Sequence, residues 1–162
     1  MSNRYTLKDK CIAEFIGTGM IVGGGCGTVC AAKYAKYPLG AFGIPVAFGM
    51  SVALAIYATR DVSGAHLNPA MTLSFYFNKP EICPKEIVLP YIGSQILGAA
   101  FFAGLNFLVY RRGIIALEIA EKVTRGTKGS CSIFNGAFGM VPNTELLKWP
   151  GAFLGEVGMT SA

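Results

Sequence analysis

Residues Ser63–Thr72 read SGAHLNPAMT and stand between two long apolar runs. A histidine, an asparagine and a helix-disrupting proline interrupt a chain that is otherwise greasy. Asn68 and Pro69 spell a helix start. Asparagine is a favoured N-cap, and proline at the first helical position has no N–H to leave unpaired. The spacing predicts a helix over 69–78, stopped near Lys79-Pro80. At ~1.5 Å per residue it covers about 15 Å, half of the ~30 Å hydrocarbon core.

The flanking runs decide what surrounds this insert. Hydrophobic residues make up 52% of the 162, charged residues only 14%, and the mean hydropathy is +0.48. Cys11–Ala32 holds one charge, Glu14, while Leu39–Thr59 and Ile87–Tyr110 hold none. Each meets the ~20 apolar residues needed to cross a bilayer, so three spans are expected at 11–32, 39–59 and 87–110. Arg4, Lys8 and Lys10 resemble the basic end of a signal peptide. The run after them is too long for an h-region of about 7–15 residues and contains a glutamate, so it is taken as a retained helix. A fourth run, 149–162, is too short to span unaided. It is expected to be interfacial or the start of a longer element.

Several function classes fall away here. The net charge of +5 comes from residues lying between the apolar runs, which is membrane-flanking charge and not a nucleic-acid surface. The 21 glycines follow no Gly-X-Y period. The G-x-G pairs at 17/19, 23/25 and 25/27 are followed at the third position by Val22, Thr28 and Cys30, so the dinucleotide fingerprint fails. Gly19, Gly23 and Gly27 instead predict a face that lets another helix backbone approach closely. The five cysteines include no C-x-x-C pair and read as packing residues. Neither a cysteine metal site nor a dinucleotide-binding enzyme is expected, and no catalytic residue is singled out.

If the 69–78 helix dips into the membrane, Ser63–Leu67 is non-helical backbone at depth. Such backbone is tolerated only where protein buries it or where it lines a wet cavity. An unpaired buried polar group costs roughly 2–7 kcal/mol, so a row of bare carbonyls requires permeant molecules that donate to them. The helix N-terminus adds about +0.5 charge, which repels cations. The Asn68 amide can donate to a passing oxygen. Carbonyl acceptors beside an amide donor suit a neutral hydroxylated solute. The other reading of 63–78 is a plain loop and amphipathic helix outside the bilayer, since Asn-Pro is a common turn initiator.

SGAHLNPA (Ser63–Ala70) resembles the first of the two Asn-Pro-Ala signatures of the major intrinsic protein family, the aquaporins and glycerol facilitators. TLKDKCIAEFIGTG (Thr6–Gly19), AIY (Ala55–Tyr57) and SQILGA (Ser94–Ala99) are similar to bacterial glycerol uptake facilitators. The resemblance implies an all-α membrane fold, an aquaporin-like right-handed bundle built from two inverted repeats. The first repeat would supply three transmembrane helices and one re-entrant half-helix, followed by the start of a fourth helix. It implies passive diffusion of glycerol, other small neutral polyols and water, a homotetramer in the lipid bilayer, and no cofactor. Asn68 would donate to the solute, and the carbonyls of Gly64, Ala65, His66 and Leu67 would accept from it. Pro69 and Ala70 would form the half-helix tip. Glu14 and His66 would brace the loop, with Glu156 the counterpart of Glu14 in the second repeat. Phe48 would stand at the aromatic position of the outer constriction.

Two features depart from the family's pattern. Phenylalanine at position 48 is more usual in water channels, where glycerol facilitators carry tryptophan, so a water-selective channel is the alternative. The second Asn-Pro-Ala and the arginine after it do not occur, although Glu156 and Thr160 repeat the spacing of Glu14 and Thr18. The chain is therefore expected to be an incomplete half, which alone would be a non-conducting membrane fragment or assembly partner. The resemblance places it in the plasma (inner) membrane with its N-terminus cytoplasmic. Arg111 and Arg112 directly after the third run oppose that orientation. Arg111–Lys148 is the main polar connection. Ile114–Val123 has an amphipathic look, and Gly136–Asn143 resembles the segment lining the family's outer vestibule. A solvated connector is an equal reading of most of it.

Overall fold

The computed structural model describes residues 4–127 and 129–139. The expected fourth helix at 149–162, with Glu156 and Thr160, lies outside the described residues, as do the last residues of the 136–143 segment. The described residues are helices joined by short connections, with no strand among them. Three helices are long and apolar enough to cross a membrane: Leu7–Tyr34, Phe42–Ser63 and Lys85–Ala120. The protein is a multi-pass, all-α integral membrane protein.

The first span starts at a capping box. The Thr6 hydroxyl accepts from Asp9 N, and the Asp9 carboxylate accepts from Thr6 N. It comprises α1 (Leu7–Met20), a π-helical stretch (Ile21–Cys26) and α2 (Gly27–Tyr34). The π-helical stretch holds Gly23, Gly24 and Gly25 in succession. The second span lies in α3 (Gly40–Ser63). α4 is the ten-residue helix Pro69–Asn78. α5 (Lys85–Ala120) is 36 residues, about 54 Å at 1.5 Å per residue. That exceeds the bilayer even with its headgroup layers. A five-residue helix, α6 (Ser130–Phe134), follows.

The helix packing departs from the expected glycine face. Gly19 and Gly23 do not meet a backbone; both sit under the ring of Phe102 of α5. The close backbone approach is made from the other partner, where Gly98 of α5 rests on the carbonyl of Phe15. Any side chain at 98 would force α1 and α5 apart. Gly27, past the π-helical stretch, faces the Asn106 amide.

The third apolar run continues ten residues beyond Tyr110. Gly113 does not break α5, because it lets the helix cross the Tyr34 carbonyl at the end of α2. Ile114, expected in the polar connection, is fully buried with Cys30, Tyr34, Ile133 and Ala137. This cluster is the core of a folded cap over the helix ends, so Ile114, Ile133 and Ala137 are not part of a solvated connector, while residues 124–127 between them are exposed. The Tyr34 hydroxyl donates to Ile133 O at 2.8 Å, and Lys33 Nζ donates to Ser132 O and Asn135 O, each at 2.8 Å. Arg125 holds Glu118 through two bonds of 2.9 Å and lies over the rings of Phe107 and Phe134.

Candidate functional site

The segment between α3 and α4 is built on alternating backbone hands. Gly64 closes α3 at φ 90°, its N–H donating to Arg60 O. Ala65 and Leu67 also take positive φ, 52° and 54°, while His66 between them does not. Non-glycine residues there cost of order 1 kcal/mol or more each, so the surroundings must hold them. Alternation of hands turns successive N–H groups to one side, forming a concavity that binds anions.

The anion is the carboxylate of Glu14. It is fully buried within the first span. Its Oε1 accepts from Ser63 Oγ at 2.6 Å and His66 N at 2.9 Å; its Oε2 accepts from Leu67 N at 2.6 Å and Gln95 Nε2 at 2.7 Å. A carboxylate has about four acceptor positions, and four donors fill them. Gln95 also donates to Thr72 Oγ1 at 2.9 Å, which ties α5 to α4. The Tyr91 hydroxyl donates to Ser63 O at 2.8 Å.

With the N–H groups turned inward, the carbonyls divide. Leu67 O accepts from Thr18 Oγ1 at 3.1 Å. The carbonyls of Gly64, Ala65 and His66 accept no hydrogen bond among the described residues. Asn68 is exposed and caps α4, its Oδ1 accepting from Ala70 N at 2.8 Å. Fixing the oxygen in this way leaves Nδ2 without an acceptor among the described residues. Pro69 occupies the first turn of α4, and Ala70 is exposed at its tip.

The His66 ring takes no part in that face. It is packed between Phe75 at 4.8 Å and Tyr91 at 5.1 Å, with Nδ1 3.2 Å from Thr72 Oγ1. Phe48 sits apart from the loop. It lies fifteen residues before Ser63 on α3, about 22 Å along the helix. Its half-buried ring covers Gly25, where an added Cβ would approach the ring to 2.6 Å.

The sequence reading missed Thr18, Ser63, Thr72, Tyr91 and Gln95 as parts of this network. Two signals point to them. Thr18 follows Glu14 by four residues, on the same helix face. Gln95 is a long polar side chain within an uncharged span, where a polar group needs a partner.

The family model for the major intrinsic proteins matches residues 1–141. The glycerol uptake facilitator protein of Haemophilus influenzae is 42% identical over 156 residues, 96% of this chain and 58% of that protein. That of Escherichia coli K12 is 40% identical over 146 residues, 90% of this chain and 51% of that protein. The propanediol uptake facilitator of Citrobacter freundii is 37% identical over 156 residues, 96% of this chain and 56% of that protein. The chain thus spans about half the length of the curated relatives it matches. By the match over residues 1–141, this chain belongs to the major intrinsic protein family.

Proposed function

We propose that this chain forms one wall of a passive transmembrane path for glycerol and similar small neutral polyols, with water, and without a cofactor. The observation that carries the reading is the division of the 64–68 segment. The N–H groups of residues 64–67 are spent on Glu14 and neighbouring oxygens, while the carbonyls of Gly64, Ala65 and His66 and the Asn68 Nδ2 have no partner among the described residues. A hydroxyl both donates and accepts, so a polyol can satisfy both sets as it passes. The α4 N-terminus, near +0.5 charge, disfavours cations at the same point. The names of the relatives, glycerol and propanediol uptake facilitators, support the same solute class.

In this reading Gly64, Ala65 and His66 act through their carbonyls, Asn68 through its amide, and Pro69 and Ala70 form the tip of a re-entrant half-helix. Leu67 contributes less as an acceptor, since Thr18 holds its carbonyl. Glu14 braces the loop. The opposite wall is contributed by elements outside the described residues, in a homotetramer of the plasma membrane with the N-terminus cytoplasmic. Phe48 stands at the outer constriction. A phenylalanine there, where the family's glycerol facilitators carry tryptophan, favours a second reading in which water is the main permeant.

Stopped-flow light scattering of proteoliposomes tests both readings. The chain alone is expected to give the solute flux of empty liposomes. Co-reconstitution with the complementary half of the Haemophilus influenzae relative is expected to give glycerol flux that Asn68→Asp removes. Water flux without glycerol flux would select the second reading. Flux indifferent to Asn68→Asp would overturn both.

A further inference from the structure

Phe48, Ser51 and Thr59 of α3 each stand over a glycine of the first span: Gly25, Gly24 and Gly17 respectively. Gly25 is buried. The Phe48 ring over it is only half-buried, so one side rests on the glycine and part of the ring stays open. A Cβ at position 25 would lie 2.6 Å from two ring carbons and 2.9 Å from a third. Carbon atoms pack at about 3.5–4.0 Å, so the ring sits about 1 Å closer to the first span than any other residue at 25 would allow.

Which partner would yield to a larger residue depends on what holds each of them. The first span is held against α5 along this length. The buried Asn106 amide donates through Nδ2 to Val22 O at 3.1 Å, inside the same π-helical stretch as Gly25. The Phe102 ring covers Gly19 and Gly23, and Gly98 rests on the Phe15 carbonyl. Moving the span away from α3 would break that hydrogen bond and disturb close-packed contacts, which resist displacement. The Phe48 ring has an open side and can turn toward it. A side chain at 25 would therefore displace the ring and leave the helix in place.

We infer that Gly25 is a specificity-determining residue of the path: its lack of a side chain lets the Phe48 ring draw back against the first span, and so sets the largest solute that passes. The inference rests on the proposed function, in which Phe48 stands at the outer constriction. A ring pushed outward by about 1 Å obstructs a polyol before it obstructs water. The test is stopped-flow light scattering of proteoliposomes holding the full chain with the complementary half of the Haemophilus influenzae relative, glycerol and water flux being measured on the same preparation. Gly25→Ala is expected to cut the ratio of glycerol to water flux at least tenfold. Gly24→Ala, which meets Ser51 and no ring, is expected to change the ratio less than twofold. In a Phe48→Ala background, Gly25→Ala is also expected to change it less than twofold. A general loss of packing would instead lower both fluxes together and would not depend on the ring. Where Gly25→Ala alone does not assemble, Gly25→Ala with Phe48→Ala is expected to restore assembly and glycerol flux, and failure of that rescue would overturn the inference. An unchanged ratio in Gly25→Ala, or an equal fall without the ring, would overturn it and leave the proposed function standing. No glycerol flux in the pair before any substitution would overturn the polyol reading and this inference with it.

Discussion

Replacing Glu14 by glutamine tests the carboxylate network most sharply. The two backbone donors bind different oxygens, His66 N to Oε1 and Leu67 N to Oε2. Whichever way the new amide points, its NH₂ group faces one of these N–H groups, and no rotation of a neighbour repairs that. Ser63 can turn its hydroxyl away, and Gln95 can flip only by losing Thr72. One orphaned N–H costs about 1–3 kcal/mol, and the surviving bonds lose their charge assistance, which roughly halves them. Relief from burying a charge offsets part of this. A net local loss of about 3 kcal/mol is expected, about a hundredfold in the opening of the loop and α4. Cys83 reports that opening: it is buried, with Sγ 3.6 Å from Thr72 O. Cys30, buried in the cap cluster, is the internal control. Pulsed maleimide labelling in detergent, read by peptide mass spectrometry, is expected to show Cys83 reacting about a hundred times faster in Glu14→Gln, with Cys30 changing less than threefold. An unchanged Cys83 rate, or Cys30 rising in step with it, would refute the reasoning.

Other perturbations separate the roles of neighbouring groups. Asn68→Asp keeps the cap oxygen and removes the donor, so thermal stability should stay within about 0.5 kcal/mol while flux in the co-reconstituted channel is lost; Asn68→Ala should lose flux and about 1 kcal/mol of stability together. Gly98→Leu sets a side chain against the Phe15 carbonyl and should destabilise by about 1–3 kcal/mol or more, seen as a lower thermal midpoint in detergent. Lys33→Met removes two charged bonds to the cap, to Ser132 O and Asn135 O. Trypsin cleavage between residues 122 and 129 should then be at least tenfold faster, with the spanning helices left intact.

What was legible in the sequence followed from local chemistry. Asn68-Pro69 announces a helix start because capping depends on adjacent residues alone, and α4 begins there. Glu14 stood out because a lone carboxylate in an apolar span must find donors. Its donors were less visible, because Ser63, His66, Leu67 and Gln95 reach it only through the backbone hands at 65 and 67 and the crossing of α1 with α5. The extension of α5 was hidden for a related reason. Arg111-Arg112 reads as the end of a membrane span, and only tertiary contact between Gly113 and Tyr34 and burial of Ile114 carry the helix onward. The glycine stripe was counted at a regular four-residue period. The π-helical stretch breaks that period between Gly19 and Gly27, so these glycines meet a ring and an amide instead of a single backbone.

The buried glutamate and the bare carbonyls are one device. A peptide group presents its N–H and its C=O in opposite directions, so a segment whose N–H groups converge on an anion must present its carbonyls elsewhere. Ala65 and Leu67 accept the strain of positive φ because Glu14 binds both of the N–H groups that this alternation turns inward. The carbonyls of Gly64, Ala65 and His66 then have no donor among the described residues. In hydrocarbon that arrangement would be prohibitive; beside the file of hydroxyl groups that the proposed function supplies, it would be a set of acceptors held in place before the solute arrives. The apolar packing of the His66 ring serves the same end, because Phe75 and Tyr91 hold the residue whose N–H and C=O point to opposite sides of the loop. In the proposed path, selectivity for uncharged guests would follow from the same geometry: Glu14 is enclosed by its own four donors, and α4 presents its positive end beside the loop.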